Sequence, residues 1–470
     1  MGVIKTSFHK LSKEYSLRFD FNYIKSDSFT NSNDYDYRAL FDIIDVEKVD
    51  IALLDDFKYA EIGNVQSGGD VSPVNLSFNN RTDENENLFK KIERGDIFLP
   101  ECGDILLAKI RPYLNKNVLV GENKIYFTTA FIQLRPKIDS VILYNLIRSL
   151  FLEKINAVSR CGKGYPTLND RDLKTIHFPR QIIDSVVAKS DILINEIKCI
   201  EQEISVLKSS KTPHIDIINE VFGQEFGFDW KKFERLKEQK IYSLNLSNSS
   251  RSVDCRLGCR FHQPAAKYVM DFMSKHTNKR IKDFCVEPIC LGASLSPTNY
   301  DESGEYKYIA MSSFPNWELN INDSKSVSNE YANRNQNKTL QKGDIVLARS
   351  GEGTIGKVAL VTDDNIQAIF ADFTQRIRLD NYNQTFAYYY FRSMFFQYLV
   401  YKEKKGLGNN TNIFPSQIQD FPIPDYSLDK QQEIVSKIET RINAQKDIDK
   451  QIADKRQEIS RLIESAIKQV

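Results

Sequence analysis

Two polar loops, each present in two versions, hold the residues of this chain whose types and spacing could do chemistry. The first reads Lys109-Ile110-Arg111-Pro112 in one version and Arg349-Ser350-Gly351-Glu352-Gly353-Thr354-Ile355-Gly356-Lys357 in the other. Each follows a Gly-Asp-Ile run that opens a strand-like stretch. Glycine lets backbone amides come close to an anion, so Ser350, Gly351, Gly353 and Thr354 suit a phosphate cradle. Lys109, Arg111, Arg349 and Lys357 add positive charge, and an arginine can also read guanine bidentately in a major groove. The second loop reads Gly162-Lys163-Gly164-Tyr165-Pro166-Thr167-Leu168-Asn169, and its counterpart Lys404-Lys405-Gly406-Leu407-Gly408-Asn409-Asn410-Thr411-Asn412-Ile413. Lysine beside glycine suits phosphate contact, which makes Lys163, Lys404 and Lys405 candidates together with Tyr165. Asn409 and Asn410 can hydrogen-bond bases or backbone. Arg376 and Arg378 extend the set from a strand-like run. The plain readings are a glycine hairpin between strands, a glycine that ends a helix, and strand arginines that are merely solvated.

Catalytic patterns are missing. There is no GxxxxGK[ST] phosphate loop, no HExxH and no GxSxG turn. Nor is there an Asn/Asp-Pro-Pro-Tyr/Phe tetrad, which an amino-methyltransferase needs to hold a flipped base. His9, His177, His214, His262 and His276 are scattered. Pro424-Asp425 followed by Glu433 superficially suggests a nuclease, but Glu433 falls on a long helical stretch. Cys255-x3-Cys259 and Cys285-x4-Cys290 have spacings a zinc site can use. Ordinary burial explains FCVEPIC, and the chain uses cysteine freely at Cys102, Cys161 and Cys199, so reduced thiols are the plain reading. The missing patterns turn the expectation from catalysis to binding.

The loops recur because the chain says nearly the same thing twice. GDILLAKIRPYLNKNVLV is echoed by GDIVLARSGEGTIGKVALV, Phe131–Arg135 by the run from Phe373 to Arg378, and Arg148-Ser149-Leu150-Phe151 by Arg392-Ser393-Met394-Phe395. Asp104 and Asp344 stand 240 residues apart, and Arg148 and Arg392 stand 244 apart. That period belongs to a duplicated domain, since solenoid repeats run about 20–50 residues. Two similar binding units in one chain approximate the two-fold symmetry of a homodimer.

A chain of 470 residues exceeds the usual single-core size of about 250–300, so at least two domains are expected. Hydrophobic content of 41% and aromatic content of 11% suffice for globular cores. No stretch approaches the roughly 20 apolar residues of a membrane span, and the first residues lack the apolar core of a secretory signal. The Met-Gly start matches a myristoylation pattern only loosely, and a cytoplasmic location is expected. The net charge of +1, from 64 basic and 63 acidic residues, means that any nucleic-acid contact must use locally clustered charge or partners that supply it.

The elements that position the loops follow from periodicity. Residues 1–180 read as a first unit with strands at 105–108, 117–120 and 130–134 and a helical stretch at 140–157. In 183–211, Leu193, Ile197, Ile200, Ile204 and Leu207 alternate at spacings of four and three, a coiled-coil seam. The spacer is placed at 181–225 and a Ser/Asn-rich linker within 226–253. The second unit, 254–426, repeats strands at 345–348, 357–361 and 376–379 and a helix at 385–403. A second long helix follows over 427–470, its heptad frame interrupted at Gln445, Asp449 and Arg456. The expected fold is mixed α/β: two duplicated domains joined by two long helices packed against each other as an antiparallel coiled coil. Dimerisation of each helix with another molecule is the alternative.

The order of these landmarks, occurring twice and closing on Phe421-Pro422-Ile423-Pro424 and Lys430-Gln431-Gln432-Glu433-Ile434-Val435, resembles the DNA-specificity subunit of type I restriction-modification systems. Arg256-Leu257-Gly258-Cys259-Arg260-Phe261, echoed by Ser16-Leu17-Arg18-Phe19-Asp20-Phe21, is similar to the opening of that family's target-recognition domains. The first junction, His177-Phe178-Pro179-Arg180-Gln181-Ile182, departs from the pattern, and KIRPY replaces the Gly-rich loop in the first unit. The resemblance implies two target-recognition domains, each reading half of a bipartite site in double-stranded DNA. It implies helices that set the spacer and dock methyltransferase subunits, with restriction subunits in the same complex. S-adenosylmethionine, ATP and Mg²⁺ would be held by those partners. The competing readings are a fused restriction-methylation enzyme, which lacks its motifs here, and a non-DNA adaptor with duplicated binding domains on a coiled-coil frame.

Overall fold

The computed structural model describes residues 34–47, 49, 56–78, 86–161, 165–244, 256–322, 324–351, 353–406 and 410–468. The echo at 16–21 and Cys255 lie outside these residues. The chain divides into unit 1, Met1–Ser210 with Asp449–Val470, and unit 2, Lys211–Ile448. Among the described residues no helix is long and apolar enough to cross a membrane.

Each unit is built around an antiparallel four-stranded sheet with the same strand order. In unit 1 the strands are β1 (Phe41–Ile44), β2 (Ile105–Ala108), β3 (Val118–Leu119) and β4 (Phe131–Pro136), arranged β1-β4-β2-β3. In unit 2 they are β5 (Cys290–Leu291), β6 (Ile345–Ala348), β7 (Val358–Leu360) and β8 (Thr374–Ile377), arranged β5-β8-β6-β7. Every residue of β2 and β6 is buried, as an unbroken apolar run requires of a central strand. The strand expected at 376–379 begins two residues earlier, because Thr374 and Gln375 are buried and pair with Ala348 and Leu347 despite their polarity. A second sheet in each unit contains one parallel pair, with Lys58 opposite Ile125 in unit 1 and Lys307 opposite Ala368 in unit 2.

The Gly-Asp-Ile turn fixes the register of both sheets. Ile105 lies opposite Leu134, and Ile345 opposite Ile377. The next residues, Arg135 and Arg378, therefore reach back to the aspartates that precede those isoleucines. Arg135 Nε donates to Asp104 Oδ1 at 3.1 Å, and Arg378 Nε to Asp344 Oδ1 at 2.7 Å. Both aspartates are almost fully buried, and each also accepts a backbone N–H, from Glu101 at 3.0 Å and from Gln341 at 2.9 Å. Gly103 and Gly343 adopt φ of +90° and +89°, a region that side chains strain to enter. Arg135 is thus the structural counterpart of Arg378, and Gln133 that of Arg376.

Helices follow the sheets with matching caps. Asp139 caps α1 (Ser140–Arg148) through the amides of Val141 and Ile142, and α2 (Leu152–Val158) continues from it. The expected helix 183–211 is two helices, α3 (Arg180–Ala188) and α4 (Ser190–Ser209), which meet at Lys189. In unit 2, α5 (His214–Phe226) starts after Pro213, and α6 (Trp230–Lys237), with Phe233 buried, keeps the connection ordered up to Lys237. Then come α7 (Pro264–His276), α8 (Gln384–Arg392), capped by Asn383, α9 (Met394–Glu403) and α10 (Leu428–Lys468).

The long helices pair within the chain, antiparallel, as the seams predict. In unit 1, α4 buries Leu193, Ile197, Ile200 and Ile204, and the second half of α10 buries Ile452, Ile459, Ile463 and Ala466. Lys189 Nζ donates to the Ala466 carbonyl at 3.0 Å, and Lys455 pairs with Glu203 at 2.6 Å. Rising numbers on one helix meet falling numbers on the other. In unit 2, α5 pairs likewise with the first half of α10, through Arg441–Glu220 and Lys437–Glu225, both at 2.6 Å. Two of the residues that interrupt the heptad frame, Gln445 and Arg456, bond elsewhere. Gln445 Oε1 accepts the Thr212 amide at 2.8 Å, just where α4 has ended and α5 has not begun. Arg456 Nη2 donates to Asp70 Oδ2 at 2.6 Å, and Lys208 pairs with the same carboxylate.

Burial alone would raise the Asp70 pKa, but the hydrogen bonds and charges of Lys208 and Arg456 outweigh it and hold the group below the ordinary aspartate range. A depressed folded-state pKa contributes stability above about pH 4 that is lost as pH falls through the lowered value. Asp70→Asn is therefore expected to cost unit 1 stability at pH 7 and to narrow that cost below about pH 4. Urea unfolding of both proteins across pH 3–7 measures this, and a pH-independent difference would contradict it.

Candidate nucleic-acid interface

The two candidate loops are neighbours in each unit, joined by the same backbone bonds. In unit 1, Lys109 N donates to the Ala130 carbonyl at 2.9 Å, Leu168 N to the Lys109 carbonyl at 2.8 Å and Arg111 N to the Pro166 carbonyl at 2.9 Å. In unit 2, Arg349 N donates to Phe373 O at 3.0 Å, Ile413 N to Arg349 O at 2.9 Å and Gly351 N to Thr411 O at 3.1 Å. Ile110 bridges Thr167, and Ser350 bridges Asn412. The hairpins match too: Arg160 lies opposite Thr167, and Lys405 opposite Asn412. KIRPY and the Gly-rich loop, so different as sequences, are one backbone design.

Torsions carry the same message. Arg111 occupies the position of Gly351, and Asn115 that of Gly356. All four have positive φ, at 51°, 83°, 53° and 86°. Unit 2 meets this demand with glycine, whereas unit 1 places an arginine there at a conformational cost of about 1–2 kcal/mol. Gly406 is equally constrained: its φ is +97°, and a Cβ there would come within 2.4 Å of the Asn410 carbonyl.

The side chains fall into three groups. Arg111 and Tyr165 are exposed and adjacent, with the guanidinium carbon 5.6 Å from the ring centroid. Arg349 lies by two rings, 5.8 Å from Phe373 and 6.0 Å from Phe414. Gly353 and Asn410 are exposed, Gly351 and Thr354 half-buried, and Lys405 exposed. Lys109 and Lys357 lie at the loop margins and donate to carbonyls, of Thr129 at 3.0 Å and Pro315 at 3.3 Å. Ser350 is buried and contributes backbone to the bridge with Asn412, while Thr354 Oγ1 donates to the Ser350 carbonyl at 2.7 Å. Lys163 and Asn409 lie outside the described residues.

Three of the expected contact residues are engaged within the fold. Arg376 is 5% exposed and spends its guanidinium on Glu287 at 2.7 Å and the Thr339 carbonyl at 2.5 Å. Arg378 is held by Asp344 and Glu287, and the Asp344 hydrogen bonds raise its already high pKa further. Lys404 is 6% exposed, with Nζ 5.5 Å from the Tyr401 ring centroid. These internal contacts stiffen the sheet and the hairpin base. Sequence reasoning missed the exposed aromatic rings: Tyr113 at 50%, Phe373 at 48% and Phe414 at 40%. The one available signal was their position, each beside a loop already singled out. Among the described residues no cluster of His, Cys, Asp and Glu is arranged to hold a metal ion. Burial pushes the Cys285 thiol up to about 11, and it donates to the Ile281 carbonyl at 3.3 Å as a neutral S–H.

Each unit is thus an α/β fold that carries a pair of adjoining loops with basic and aromatic side chains. Residues 273–456 match the model of the family described as type I restriction modification DNA specificity domain, in agreement with the resemblance drawn from the sequence. No curated protein matches the chain. Among solved structures, the chain is similar to a protein of a study on complex assembly and conformational transition of the type I R-M system, at 15% identity over 94% of this chain and 98% of that one, with a TM-score of 0.37. The HsdS subunit from Thermoanaerobacter tengcongensis is 16% identical over 91% and 93% of the two chains, with a TM-score of 0.30. The type I S subunit from M. genitalium is 10% identical over 93% and 96%, with a TM-score of 0.37. Superpositions this loose add no weight to the family match.

The loop design predicts a trade between stability and function. Arg111→Gly is expected to stabilise unit 1 by about 1 kcal/mol, because glycine enters positive φ without strain. Denaturant titration checks it, and a destabilised variant would mean that the Arg111 side chain holds the loop.

Proposed function

We propose that this chain is the DNA-specificity subunit of a type I restriction-modification complex and that each unit reads one half of a bipartite duplex target through its paired loops. One observation carries the reading: a single loop pair, joined by the same backbone bonds, is furnished twice with different side chains, and one of the two copies lies within residues 273–456 of the specificity family. Identical scaffolds with different side chains are what two half-sites of different sequence require, since each base pair has its own major-groove pattern. The antiparallel helices set the spacing between half-sites and dock two methyltransferase subunits, and restriction subunits join the same assembly in the cytoplasm. S-adenosylmethionine, ATP and Mg²⁺ come with those partners.

Phosphate contacts make such binding steeply salt-dependent. Duplex affinity of the full chain, with and without co-expressed methyltransferase subunits, is expected to fall linearly in log–log form with salt. Lys357→Ala should weaken binding about equally for all sequences and reduce the slope by about 1. Binding that ignores salt, or no binding to duplex DNA, would favour the adaptor reading instead. The spacer role has a separate check. Fourteen residues inserted at matched positions of both paired helices lengthen them by about 21 Å, or about six base pairs of B-DNA. The methylated motif, mapped in cells, should widen its spacer accordingly. An unchanged spacer would remove the helices as its determinant.

A further inference from the structure

The arginines around the unit 2 loops differ in one respect. Arg376 and Arg378 are tied to carboxylates, as described, whereas Arg349 is held by rings. It leaves β6 between Phe373 and Phe414, whose backbones flank it: Arg349 N bonds to Phe373 O, and Arg349 O accepts from Ile413, the residue before Phe414. Both rings stay 40% or more exposed, although each could have been buried in a core this rich in aromatics. The Arg349 Nε is buried and has no hydrogen-bond partner among the described residues. Neither Nη atom donates to a described group. The guanidinium thus lies by two rings with Nε buried and, among the described residues, its hydrogen-bonding capacity unspent.

We propose that Arg349 reads a guanine in the half-site taken by unit 2, with Phe373 and Phe414 as positioning residues that hold the plane of its guanidinium. The inference rests on the reading of the chain as a DNA-specificity subunit and narrows it to one base and one side chain. Rings on two sides restrict the plane of the fork, and that restriction matters for a planar base edge, where O6 and N7 of guanine accept two parallel N–H bonds. A tetrahedral phosphate accepts from many directions, and a swinging lysine serves it as well. The inward-facing Nε leaves the two Nη groups as the outward edge, the end of the fork that makes such a bidentate contact. At the position of Arg349 unit 1 has Lys109, whose Nζ already donates to Thr129 O at 3.0 Å, so the guanine contact argued for Arg349 has no counterpart at that position.

The experiment selects duplexes from a fully randomised pool with the full chain and its co-expressed methyltransferase subunits. The wild type and the variants Arg349→Lys, Arg349→Gln, Phe373→Leu and Phe414→Leu are compared, and thermal melts establish that each is folded. For the wild type, one invariant guanine is expected in one half-site. Both Arg349 variants should lose its discrimination by roughly 5- to 150-fold while every other position is kept. Phe373→Leu and Phe414→Leu should lose part of the same discrimination at the same position. If Arg349→Lys keeps the guanine, or if either Arg349 variant weakens all sequences alike and lowers the salt slope by about 1, the contact is to phosphate and the proposal is wrong. If the wild type selects no sequence at all, the specificity-subunit reading fails first, a different and recognisable result.

Discussion

Each unit depends on a buried carboxylate at the start of its central strand. Asp104 and Asp344 are removed from water, and a charge in that position is tolerable only when its oxygens are taken. Arg135 and Arg378 take one side, and the amides of Glu101 and Gln341 take the other. A slip of two residues would leave a buried aspartate without its arginine, so the pair locks the register. Everything downstream of the pair inherits its register. Lys109 and Arg349 come off β2 and β6 at one height, and the second loop must bond at that height to meet them. The pair thus positions both loops although it belongs to neither.

Much of this was legible in the sequence, and the reason is repetition. A short run such as Gly-Asp-Ile-Leu-Leu-Ala says little alone, but its return 240 residues later marks strand, turn and loop together. The apolar periods of α4 and α10 were equally plain, and so was their need for each other. Two things were not legible. Side-chain fate was one: Arg349, Arg376 and Arg378 look alike in a string, and only the register shows that two of them face carboxylates while one faces rings. The other was the equivalence of Arg111 with Gly351. A left-handed torsion is announced by glycine and hidden by arginine, so KIRPY read as a divergent loop when its backbone is conserved between the units. Exposed phenylalanines were missed for a related reason, since an aromatic residue in a string reads as core.

Unit 2 packs its sheet and helices into one broad aromatic cluster, in which Phe222, Phe226, Phe228, Phe386, Tyr390 and Phe395 meet ring to ring. Unit 1 adds polar ties that converge on Asp70. Aromatic contacts lose little on a change of salt or pH, whereas ion pairs weaken with both.

The helix Leu428–Lys468 gives its first half to unit 2 and its second half to unit 1. During synthesis, α4 emerges with its isoleucine stripe uncovered, and the residues that cover it lie beyond the whole of unit 2. At about 5–20 residues per second that wait is on the order of ten to fifty seconds. The early-made unit is the late-finished one, and for that interval its bare stripe is an invitation to chaperones or to another nascent copy. The order of the genetic text and the order of assembly run in opposite senses.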